Sequence, residues 1–115
     1  MSGSSKISVS KVGPRTVLAP KEPLTHQNCE DLEASFRSCL THPKVEILLD
    51  LDSVPLLDSE ALEQLLSMHE EMITRGSGLK IVNLNPLCRE IFIATRLLNV
   101  FSVFENVSEA IRSGP

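Results

Sequence analysis

Apolar and polar positions alternate in blocks along the chain, and the block type changes from segment to segment. Ile7 to Val9 and Thr16 to Ala19 read as two short strands joined by a turn at Gly13-Pro14. Pro20-Lys21-Glu22-Pro23 then breaks the pattern. Cys29, Leu32, Phe36, Cys39 and Leu40 recur at helical spacing and predict a helix over about Gln27 to Leu40, ended by His42-Pro43. Val45 to Leu51 is an apolar run with Ile47, Leu48 and Leu49 consecutive, the pattern of a strand covered on both faces. A helix from Asp58-Ser59 to Arg75 follows, with a stripe of Leu62, Leu65, Leu66, Met72 and Ile73 expected to be buried. Gly76 after Arg75 marks its end. Lys80 to Leu84 is a further short strand. Asn85-Pro86 opens a helix to about Leu98, with Leu87, Ile91, Thr95 and Leu98 on one face. Ser102 to Phe104 reads as an edge strand and Ser108 to Arg112 as a terminal helical turn or two. From Gln27 onward strands and helices alternate, which predicts an α/β fold with a mixed, mostly parallel sheet and about four helices. Ligands or partners then gather at the loops following the C-terminal ends of the strands.

The 115 residues make one domain, expected over 6–113 after a disordered lead-in over 1–5. With a formal charge of −4, no Trp, no Tyr and four Phe, neither phosphate neutralisation nor base stacking suits the chain, so no nucleic-acid partner is expected. Apolar runs stop at about three residues, far short of the ~18–20 of a membrane span. The N-terminal residues have no apolar core to serve as a signal peptide. The three cysteines lack metal-type spacing. Cys29 and Cys39, ten residues apart on one expected helix, stand ~15 Å apart along its axis. Free thiols suit a reducing compartment, and the expected location is cytoplasmic.

Little else points to chemistry. Gly76-Ser77-Gly78 lies between a helix end and a strand start, the context of a cap and turn rather than a phosphate loop. His26, His42 and His69 have no carboxylate or cysteine at ligand spacing. His69 falls beside the buried stripe as a structural residue, and His42 reads as a helix-end cation or solvent residue. Cys88 reads as a small core or boundary residue. No nucleophile–base set stands out, so no catalytic residue, metal or cofactor is expected and the chain reads as no enzyme. The distinctive segment is Asp50 to Glu71, with seven acids and no Lys or Arg; eight acids and eleven bases remain elsewhere, giving −7 here and +3 in the rest. Acids in the first turn complement the helix dipole, and Glu70 and Glu71 read as a solvated face. At Asp58-Ser59-Glu60 either the serine caps the helix, or Asp58 caps it and the Ser59 hydroxyl is free.

The run from Val45 to Leu62, an apolar strand ending in Asp50, a short loop and then Asp58-Ser59-Glu60-Ala61-Leu62, resembles the core of the STAS domain, and in particular the anti-sigma factor antagonists. Leu79 to Pro86 is similar to their next strand and loop, Thr95 to Phe101 to their Thr-Gly-Leu-x-x-x-Phe, and Ser108-Glu109-Ala110-Ile111 to their closing Glu-Ala pair. The resemblance covers about Thr16 to Ser113. It implies a mostly parallel sheet packed with helices, and a bacterial phosphoprotein of signal transduction and transcription regulation. Ser59 is then the serine phosphorylated by an anti-sigma serine kinase, which the unphosphorylated form binds and which a serine phosphatase opposes. Thr25, Asp58, Ser59, Glu60, Ala61, Leu62 and Glu63 form the implied partner-binding set of a monomer or weak dimer. Three positions depart from the pattern: Ala61 stands for Gly, Glu22-Pro23-Leu24-Thr25 for Gly-x-Leu-Asp, and Arg96 for Gly. The alternative is a non-switching adaptor subunit of a lipid-transport or sensory complex. A small enzyme or ligand binder is disfavoured by the missing catalytic constellation.

Overall fold

The computed structural model describes residues 7–41 and 44–113. The expected lead-in over 1–5 and the helix stop at His42-Pro43 lie outside the described residues. The elements are β1 (Ile7–Val12), β2 (Arg15–Pro20), α1 (Cys29–Cys39), β3 (Glu46–Asp50), α2 (Ser59–Thr74), β4 (Lys80–Val82), α3 (Pro86–Ala94), β5 (Ser102–Phe104) and α4 (Val107–Arg112), in the order the pattern predicts. The five strands lie in sequence order in one sheet. β1 and β2 form an antiparallel hairpin and every later pairing is parallel.

Alternation within the strands sends side chains to two unequal cores. Leu18, Ile47, Leu49 and Ile81 enter the larger core with Leu32 and Phe36 of α1, Leu65, Met68 and Met72 of α2, and Cys88 and Phe92 of α3. On the other face Val17, Leu48 and Val82 cluster with Ala110 and Val107 of α4 and the half-buried Phe104. β3 therefore has to be apolar on both sides. At its start Glu46 is buried between charges on the flanking strands, with Arg15 Nε 2.7 Å from Oε1 and Lys80 Nζ 3.5 Å from Oε2. The Arg15 approach is an ion contact without hydrogen-bond alignment. Lys80 also donates to the Ala110 carbonyl of α4 at 3.4 Å, which fastens the small helix to the sheet.

Two helix faces differ from the periodic reading. On α2 the buried positions are Ala61, Leu62, Leu65, Met68 and Met72; Leu66 is half-buried and Ile73 is 55% exposed. The packed stripe follows 61, 65, 68 and 72, and Ile73 stands about 100° round the helix from Met72. On α3 the buried residues are Cys88 and Phe92, while Leu87 is 51% exposed and the helix stops at Ala94, four residues early. Asn85 sets this rotation. Its Oδ1 accepts from Cys88 N at 2.8 Å and its Nδ2 donates to the carbonyls of Leu51, Asp52 and Val54. Cys88 Sγ donates to the same Val54 carbonyl at 3.2 Å, which turns position 88 inward.

Of the three helical crossovers, those through α2 and α3 end their helices in the same cap. After α2 the Gly76 N–H reaches the Ile73 carbonyl and the Ser77 N–H the Met72 carbonyl, with Gly76 at φ 101°. After α3 the Arg96 N–H reaches Ile93 and the Leu97 N–H reaches Phe92, with Arg96 at φ 65°. A side chain in this left-handed position costs about 1–2 kcal/mol, so the Gly of the family pattern has a conformational reason that Arg96 lacks.

His69 is structural, as its place beside the stripe predicts. Its Nδ1 accepts the Leu79 N–H at 3.0 Å, and its ring meets Phe101 edge-on at 5.1 Å. Burial holds its pKa below the usual 6.5. The folded state thus takes up this proton less readily than the unfolded chain, so the His69 contribution is full above pH 6.5 and lost as pH falls through the depressed folded value. Urea titrations from pH 7.5 to 5 are expected to show a falling midpoint, less steep in His69→Gln. Equal slopes in the two proteins contradict the assignment.

Candidate functional site

The site stands where the sheet's parallel strands end. Asp50 closes β3 and accepts the Asp52 N–H at 2.9 Å and Asn83 Nδ2 at 3.1 Å. The chain then crosses to α2 through a loop clamped from two sides. Asn85 holds its first half, as described above. The segment after β2 holds its second half, with Leu24 N donating to the Leu56 carbonyl at 2.9 Å and Asp58 N to the Leu24 carbonyl at 3.1 Å. Leu24 and Leu57 are both buried and form a parallel bridge. This lacing fixes the start of α2 in space.

Asp58 is the N-cap, and this settles which residue at the helix start is free. Its Oδ1 accepts the Ala61 N–H at 2.9 Å and its Oδ2 accepts the His26 N–H at 2.9 Å. The Ala61 N–H, followed by the His26 contacts, holds the carboxyl below the usual carboxylate range against partial desolvation. Ser59 therefore occupies the first helical position, exposed, with no hydrogen bond from its hydroxyl among the described residues. Glu60 and Glu63 are exposed beside it.

Ala61 and Leu62, placed in the partner-binding set by the family pattern, are buried. The methyl of Ala61 points into the core, so its departure from Gly is absorbed by packing. Thr25 is half-buried in the turn before α1; its N–H donates to Asn28 Oδ1 at 2.8 Å, and its Oγ1 accepts from Gln27 N at 3.2 Å. It lies one residue from His26 and so adjoins Asp58. Sequence spacing gave His26 no carboxylate partner, and the fold supplies one. The chain fold brings its Nδ1 to 3.4 Å from Asp58 Oδ2, and one ligand atom from each of His26, Asp58 and Glu60 lies within 4.8 Å of the others. A separation of 32 residues hides this from any local motif.

Two exposed leucines also border the site. Leu56, 47% exposed, lies on the clamped loop, and Leu87 lies at the start of α3, next to the Cys88 that bonds the same loop. Of the acidic segment, Asp50, Asp52, Asp58, Glu60 and Glu63 gather at this end. Glu71 departs from the solvated-face reading: it takes Arg37 of α1 at 2.6 Å and Arg75 at 3.7 Å, and so joins two helices.

The family model of the STAS domain matches residues 6–110. The chain belongs to the STAS domain family. Among solved structures, a Thermotoga maritima protein assigned as an anti-sigma factor antagonist superposes with a TM-score of 0.84 at 20% identity, covering 95% of this chain and 94% of its own. The Bacillus cell fate determinant SpoIIAA, in its phosphorylated form, gives 0.70 at 18% identity, with 95% and 99% covered. A sulfate transporter family protein from Wolinella succinogenes gives 0.75 at 16% identity, with 90% and 88% covered. Among curated protein sequences none matches the chain. STAS domains of antagonist and of transporter type thus share this fold. No helix among the described residues is long and apolar enough to cross a membrane.

Proposed function

We propose that this STAS domain is a phosphorylation-switched binding module for an anti-sigma serine kinase or a partner of that class, reset by a serine phosphatase. The observation that carries the reading is the division of labour at the start of α2. Asp58 caps the helix, and Ser59 beside it presents an uncommitted hydroxyl at an exposed N-terminus. Such a position accepts a phosphate without losing a structural bond. Thr25, Asp58, Ser59, Glu60 and Glu63 form the polar part of the proposed face, Leu56 and Leu87 its apolar border, and Ala61 and Leu62 its support from beneath. Binding rather than turnover is the proposed activity.

The direct test is to incubate the protein with a serine kinase encoded beside it and ATP, and to map the label by mass spectrometry. Label on Ser59 supports the reading; label elsewhere sinks it. A second expectation follows from charge. The acids around Ser59 steer a basic partner surface, and screening grows as the Debye length falls to about 10 Å at 0.1 M salt. Stopped-flow association is expected to slow with salt more than dissociation speeds up. A flat association rate would show the acids to be only a hydrated surface.

A further inference from the structure

The opposite end of the molecule carries the opposite charge. α2 runs from Ser59 back across the sheet, so its C-cap Arg75 stands about 24 Å from the serine. There the starts of β2 and β3 and the end of α2 enclose a groove of about 410 Å³. Arg15, Lys44 and Arg75 line it, and Glu46 is the only lining acid among the described residues. In a chain of net charge −4, three cations around one concavity reverse the overall balance.

Glu46 offsets only part of this charge, because its single carboxylate is shared between Arg15 at 2.7 Å and the buried Lys80 at 3.5 Å. Arg75 approaches Glu71 only at 3.7 Å, and Glu71 already holds Arg37 at 2.6 Å. Lys44 is exposed and makes no ion pair among the described residues. The carbonyls ending α2 account for a cation at Arg75, but not for Arg15 and Lys44, which two other elements bring to the same place. Pro14 and the buried Val45 add apolar wall. The volume falls within the ~300–1,000 Å³ of small-molecule sites.

We propose that this groove binds a small organic phosphate, its phosphoryl oxygens held by Arg15, Lys44 and Arg75 and its apolar body laid against Pro14 and Val45. Two forked guanidinium groups and an ammonium suit a tetrahedral dianion better than a planar monoanion. The site is separate from Ser59 and stands whether or not that serine is phosphorylated.

The test is an NMR titration of the ¹⁵N-labelled protein with phenyl phosphate, with inorganic phosphate, and with sodium chloride at matched ionic strength. Phenyl phosphate is expected to move the Lys44, Glu46 and Arg75 amides, to leave Glu60 still, and to saturate at lower concentration than inorganic phosphate. The double variant Lys44→Gln, Arg75→Gln changes two side chains outside the core. It is expected to keep the spectrum of a folded protein and to bind phenyl phosphate at least about tenfold more weakly. The same shifts with sodium chloride, shifts centred on Ser59, or unchanged affinity in the folded double variant would each overturn the proposal.

Discussion

Ser59→Asp is expected to leave the domain folded and to weaken partner binding by about 30-fold to several thousand-fold. The first half follows from the helix start. Asp58 keeps both of its backbone contacts, to Ala61 and His26, when Ser59 changes. A negative group in the first turn is favoured by the helix dipole, by typically 0.3–1 kcal/mol. The second half follows from the surroundings. A phosphate brings about −1.5 to −2 charge, and Asp58 and Glu60 already flank the position. A partner that covers this face has to desolvate the added charge without pairing it, at a cost of roughly 2–5 kcal/mol, which is the affinity loss stated. Ser59→Ala removes a hydroxyl with no partner among the described residues, so it is expected to bind as the parent does and to refuse phosphate. The measurements are calorimetric titration of both variants against the partner and their thermal midpoints. Ser59→Asp binding as tightly as the parent would remove the switch and favour the non-switching adaptor reading, for which the transporter-type relatives supply the precedent of fold.

The legible and illegible parts of the fold separate along a physical line. Element order came through because every strand or helix here carries its own local period or stop signal. The Gly13-Pro14 turn, the consecutive Ile47-Leu48-Leu49 and the Asn85-Pro86 helix start are such signals. Helix faces came through less well. On α2 and α3 several apolar positions compete for one stripe, and the winner is set by contacts between distant segments. Asn85 turns Cys88 rather than Leu87 inward because its amide reaches three carbonyls of a loop more than thirty residues earlier. That long-range clamp leaves no trace in a hydrophobic period.

The site divides in the same way. Asp58-Ser59 at a helix start was visible, and which of the two caps was not, since both residue types cap well. The choice is made by His26, whose backbone N–H occupies the second carboxylate oxygen of Asp58 and secures it in the capping position. The family pattern placed Ala61 and Leu62 at the partner surface because they adjoin the serine in sequence. Helical geometry instead turns them under it, so adjacency along the chain did not translate into a shared face. Leu56 and Leu87 follow the opposite course: apolar residues that a periodic reading assigns to a core or ignores border the site in the open.

Leu65→Ala is expected to cost about 2–5 kcal/mol of stability, and Ile73→Ala to change it by no more than about 0.5 kcal/mol. Sequence periodicity ranks the two residues equally, so the contrast reports which face of α2 is packed. Leu65 is fully buried in the larger core, in a cluster that includes Leu32 and Phe36 of α1. Truncation there removes three carbons and leaves a cavity, because α2 cannot settle inward. Its start is laced to β2's following loop through Leu24 and Asp58, and its middle is tied to α1 by Gln64 Nε2 on the Cys29 carbonyl at 2.7 Å. Ile73 already spends 55% of its surface in water. A domain of this size has a total stability of roughly 5–15 kcal/mol, so Leu65→Ala removes a large fraction of it. Urea unfolding with an unchanged denaturant slope is the measurement. A small loss for Leu65→Ala beside a large one for Ile73→Ala would mean that α2 packs through the 66/73 side and that the face assigned here to the core is the exposed one.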